Sequence, residues 1–129
     1  MKIKPLAALL LFSAVAVGAW AQDKPDRQDI NVTVVNGNAV VTEEPAHTSA
    51  AHGAIVWRIA TPGYRFAPAD GIVVKSAGKH DCKLHGDAKR YRCGKRGHIK
   101  GETYKYDVRL VEAKTGQALP VLDPHIAND

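Results

Sequence analysis

INVTVVNGNAVVT, residues 30–42, consists of two β-branched runs joined through Asn36-Gly37. Asn-Gly readily supplies the left-handed pair of a tight turn whose twist matches the flanking strands, so this stretch predicts a β-hairpin. Downstream, GAIVWRIA at 53–60 is apolar on both faces around Trp57 and predicts a central strand, stopped by Thr61-Pro62-Gly63. Pro68 to Gly71 reads as a turn, GIVVKS (71–76) as a strand, and Ala77, Gly78 and Lys79 as the next turn. TYKYDVRLVEA at 103–113 alternates, with Tyr104, Tyr106, Val108 and Leu110 on one face and Lys105, Asp107 and Arg109 on the other. QALPVLD (117–123) reads as a final strand, placed at an edge or bulge because Pro120 lacks a ladder donor, and Pro124 begins a tail. Residues 43–52 carry no periodicity and read as a loop. About seven short strands separated by turn signals point to an all-β, antiparallel β-sandwich, immunoglobulin-like or cupredoxin-like in outline. A small β-barrel is the alternative, since periodicity does not separate a closed sheet from two packed ones.

Ahead of this domain, Lys2 and Lys4, the apolar run from Leu6 to Gly18 and the Ala19-Trp20-Ala21 site have the order of a secretory signal peptide. The run is shorter than the ~20 residues of a spanning helix, and a cleavage site follows it directly. Cleavage after Ala21 would leave a polar leader at 22–29 and one domain at 30–129, in a periplasmic or secreted location. No stretch of the later chain is apolar enough to insert stably in a membrane.

Cys82 and Cys93 are the only cysteines. In an exported chain such a pair predicts a disulfide, and the spacing does not match the close Cys-x-x-Cys of zinc sites.

Charge is distributed unevenly. Residues 75–105 hold ten basic and three acidic side chains, whereas the rest of the chain after Ala21 holds six basic and ten acidic ones. The basic segment 80–98 reads as an irregular, disulfide-held hairpin. Within residues 79–100, Lys79, Lys83, Lys89, Arg90, Arg92, Lys95, Arg96 and Lys100, with Tyr91 as an amphipathic contact among them, form a candidate face for an anionic surface, a polyanion or an acidic protein. The competing reading is a solvated, solubilising loop. Nucleic acid fits less well, because the basic and aromatic pattern is too short for a known module and the location is extracytoplasmic.

Copper is the alternative ligand. His80-x-Cys82-x-x-His85 with His47 or His52 has the order of a blue copper site, but the axial methionine is missing once Met1 leaves, and Cys93 competes for Cys82. For enzymatic chemistry, Ser49 and Ser76 lack a recognisable nucleophile setting and no G-x-S-x-G occurs, so a non-enzymatic role is expected.

Trp57, the Tyr104-Lys105-Tyr106 strand, the TPGYRFAPADGI segment (61–72) and the closing Asp123-Pro124-His125-Ile126-Ala127-Asn128 together resemble small exported proteobacterial proteins of unassigned activity. These carry a similar YKY strand and a terminal DP-x-I-x-N. The resemblance covers the last two-thirds of the chain and implies a β-sandwich and export, with no activity and no functional residues attached.

Overall fold

A computed structural model describes residues 26–76 and 80–129. The signal peptide expected at 1–21, the first half of the leader and the turn at Ala77, Gly78 and Lys79 lie outside these residues.

The described chain is all-β: eleven short strands, β1 (Arg27–Val35), β2 (Asn38–Val41), β3 (Ala46–Thr48), β4 (Ala54–Ile59), β5 (Tyr64–Phe66), β6 (Ile72–Lys75), β7 (Asp81–His85), β8 (Arg90–Gly94), β9 (Thr103–Val108), β10 (Leu110–Glu112) and β11 (His125–Asn128). A five-stranded sheet ordered β2-β1-β4-β8-β7 (sheet A) faces a four-stranded sheet ordered β3-β11-β9-β6 (sheet B), and β5 and β10 form a separate ribbon. Neither sheet closes, so the architecture is the sandwich and not the barrel.

The Asn-Gly turn forms as its residues dictate, with Asn36 at φ 52° and Gly37 at φ 75° and Val35 opposite Asn38. In β1 the even positions Ile30, Val32 and Val34 turn into the core, and the odd ones face outward. β4 lies in the middle of sheet A with Trp57 fully buried. Across the sandwich the Trp57 ring meets Tyr106 of β9, with centroids 5.1 Å apart, and Phe66 of β5 meets Tyr91 of β8 edge-on at 5.4 Å. Gly71 sits where a side chain would not fit: a Cβ there would lie 2.7 Å from the Phe66 Cβ and 2.8 Å from the Tyr91 ring.

Several expectations are corrected. The sheets are mixed and not purely antiparallel, because β1 pairs with β4 and β3 with β11 in parallel. After the hairpin the chain crosses to sheet B as β3 and returns to the free side of β1 as β4, which is the crossover that parallel pairing requires. The polar leader is partly strand: β1 begins at Arg27, where Arg27, Gln28 and Asp29 pair with Ala54, Ile55 and Val56. The presumed loop at 43–52 contains β3. The alternating run after Thr103 breaks at Arg109, so that TYKYDV belongs to sheet B and Leu110–Glu112 to the ribbon with β5. QALPVLD makes only isolated bridges, Val111 to Ala118 and Val108 to Leu122. The last strand is instead His125–Asn128, inserted between β3 and β9 with Ile126 buried.

Candidate anion-binding face

Residues 81–94 form a regular hairpin, not an irregular one. Cys82 and Leu84 of β7 and Tyr91 and Cys93 of β8 point inward, while Asp81, Lys83 and His85 and the partners Arg92 and Arg90 point out. Cys82 and Cys93 are cross-strand partners and are disulfide-bonded, with their Cα atoms 4.0 Å apart. β8 also pairs with β4, placing Arg92 beside Val56 and Arg90 beside Arg58. Asn31 and Asp29 of β1 continue the two rows. The outer face of sheet A thus carries Lys83 and Arg92 in one row, and His85, Arg90 and Arg58 in the next, with strands about 4.8 Å apart.

Like charges directly opposite one another destabilise a sheet. Elsewhere in this molecule acidic groups cancel such pairs. On the outer face of sheet B, Lys75 stands opposite Lys105, yet Asp107 lies 2.9 Å from Lys75 and Asp123 lies 3.4 Å from Lys105. Burial raises the Asp107 carboxyl, but the Lys75 ammonium and Arg109 guanidinium outweigh that and hold it below the usual carboxylate range. On sheet A, Asp29 serves Arg27 and Arg58, at 3.5 and 3.8 Å, and Asp81 serves Arg96 at 2.6 Å. Among the described residues, no carboxylate lies within ion-pair distance of Lys83, Lys89, Arg90 or Arg92.

The turn of this hairpin is held by neighbouring strands. The Ile59 N–H donates to the Lys89 carbonyl at 2.9 Å and the Phe66 N–H to the Ala88 carbonyl at 2.8 Å. Beside it, Arg58, Ile59, Gly86, Lys89 and Arg90 line a shallow concavity of about 340 Å³.

The other residues expected on the face are placed differently. Tyr91 is in the core, its hydroxyl raised above the ordinary range by burial, so it offers no contact among the cations. It shares the inward parity of Cys93. Lys95 turns in to donate to Thr48 Oγ1 at 2.7 Å and the Ser49 carbonyl at 3.0 Å, and burial lowers its pKa. Arg96 is neutralised by Asp81, and Lys100 is exposed in the loop at the opposite end of the sandwich, beyond the end of β8. Lys79 lies outside the described residues. Arg58 was hidden from sequence reading inside an apolar strand; its odd-even relation to Trp57 was the available signal.

The copper set is not assembled. Cys82 is committed to the disulfide, His85 is on the outer face, His47 pairs with Asp129 at 3.1 Å, and the His52 Nδ1 accepts the Ser49 N–H at 3.0 Å. His80 lies against the Tyr104 ring, 5.7 Å between centroids, with its Nδ1 3.2 Å from Ser76 Oγ. Among the described residues no group of three or more His, Cys, Asp or Glu side chains is disposed to hold a metal ion. Among the same residues, no helix is long and apolar enough to cross a membrane.

No protein-family model matches the chain, and no curated protein matches its sequence.

Proposed function

We propose that this chain is an exported, non-enzymatic binding module that engages an anionic partner through the outer face of sheet A. The observation carrying this reading is the set of cross-strand cations Lys83, Arg90 and Arg92, uncompensated on one face while the equivalent pair on sheet B is fully compensated. Repulsion of that kind costs folding energy, and a bound anion relieves it. The disulfide fits an oxidising compartment, as does the expected cleavage after Ala21, which makes Gln22 the first residue of the exported protein by mass spectrometry. The resemblance to small exported proteobacterial proteins belongs to the same reading.

Binding of the mature protein to dextran sulfate and to phosphatidylglycerol vesicles tests the proposal. Affinity is expected to fall steeply with salt, since screening sets in over ~8 Å at physiological ionic strength. Arg92→Glu should lose binding, whereas Lys100→Glu, an equal change of charge at the other end of the molecule, should not. Equal loss in both variants would reduce the effect to net charge, and no loss in either would refute the proposal.

A further inference from the structure

The face that carries the cations also carries two uncovered apolar side chains. In the β1–β2 hairpin the odd positions of β1 and the even positions of β2 face outward, which puts Val35 and Val40 on the same side of sheet A as Arg58, Arg90 and Arg92. Val35 is 53% exposed and Val40 41% exposed. With Val40 opposite Thr33 and Val35 opposite Asn38, the two valines are diagonal neighbours, about 7–8 Å apart. The hairpin runs past the last pairing of β1 with β4, Val32 with Ile59, so its tip projects beyond the sheet. The Lys89 turn ends at the same edge, where Ile59 bonds to it. Cations and apolar tip therefore lie on the same outer face of sheet A, toward the same end of its strands.

We infer, building on the anionic-partner reading above, that the partner is an anionic lipid surface, with Lys83, Lys89, Arg90 and Arg92 lying over the headgroups and Val35 and Val40 entering the interface. A soluble polyanion is hydrated on all sides and gains nothing from two exposed valines. A bilayer rewards both features at once: basic side chains are drawn to the negative surface, and apolar ones bury at the boundary between headgroups and acyl chains. The face also lacks what nucleobase recognition needs, because the aromatic side chains on the strands of sheet A, Trp57 and Tyr91, are turned into the core.

The test compares co-sedimentation with phosphatidylcholine vesicles containing phosphatidylglycerol, with phosphatidylcholine alone, and retention on dextran sulfate. All proteins are the disulfide-intact mature chain, with folding confirmed by thermal melting. Val35→Ser combined with Val40→Ser should weaken binding to the anionic vesicles about tenfold, in proportion to the half-exposed apolar surface removed, and leave dextran sulfate retention unchanged. Ile99→Ser, which removes a 65% exposed apolar side chain at the other end of the sandwich, should change neither. Arg90→Glu with Arg92→Glu should lose both ligands, and neutral vesicles should bind none of the proteins. Vesicle binding unaffected by the valine substitutions, or wild-type retention on dextran sulfate without vesicle binding, overturns the lipid inference and leaves the basic face standing. Undiminished binding by the arginine variant overturns both.

Discussion

Replacing Cys82 and Cys93 together by alanine removes the staple of an edge strand. The bridged residues are 11 apart in sequence, and closing a loop of that size lowers unfolded-chain entropy by an amount worth about 3 kcal/mol. Cys93 is fully buried, so loss of its sulfur adds a small cavity cost of about 1 kcal/mol. The total, about 3–4 kcal/mol, is a large share of what a domain of this size possesses. The loss should also be local. Among the described residues β8 is the only strand paired with β7, and across that pairing Lys83 faces Arg92 and His85 faces Arg90, so charge repulsion acts to open the strand once the bridge is gone. Urea unfolding followed by the fluorescence of buried Trp57 measures the global term, and amide hydrogen exchange at residues 81–85 measures the local one. An unfolding free energy within about 1 kcal/mol of wild type would refute the reasoning. So would β7 amides that stay as protected as those of β8.

Other outcomes follow from the packing and the buried charge. Gly71→Ala should destabilise the domain by about 1–3 kcal/mol, because the new methyl meets the Phe66 Cβ, the Tyr91 ring and the Ala67 carbonyl, all within 3 Å; a melting temperature equal to wild type would count against the packing described. Asp107 has its pKa lowered by folding, so its ion pairs contribute fully above the unfolded carboxylate range and the contribution is lost as pH falls through the folded pKa. The stability gap between wild type and Asp107→Asn should therefore hold steady near neutrality and shrink below about pH 4, as urea titrations across that range would show; a constant gap would count against the ion-pair account.

Sequence reading reached the elements whose signals are local. The 30–42 hairpin and the central Trp57 strand are specified by β-branching and by Asn-Gly, which act within a few residues. The disulfide followed from a lone pair of cysteines in a chain read as exported. What escaped depends on partners far away in the chain. Arg27, Gln28 and Asp29 look like a mobile leader because their side chains are polar, and only the register with Ala54, Ile55 and Val56 makes them strand. His125–Asn128 is short and preceded by a proline, and its pairing with residues near position 46 has no local trace. At the candidate face, the charge count picked out the segment around 80–98 but not which of its side chains share a side. Parity with the buried cysteines divides them: Tyr91 inward with Cys93, Arg90 and Arg92 outward.

The place of β11 governs when this molecule becomes a molecule. Among the described residues, β3 and β9 are joined in sheet B only through residues 125–128, so Ala46 waits for Ile126 before its strand has a neighbour. Until residues 125–128 pair, β3 has no partner in sheet B and β9 keeps one side open. Completing sheet B therefore rests on contacts distant in sequence, which form slowly by the standards of domains this size. Until then the open edges of β3 and β9 are templates with which a strand of another chain could pair.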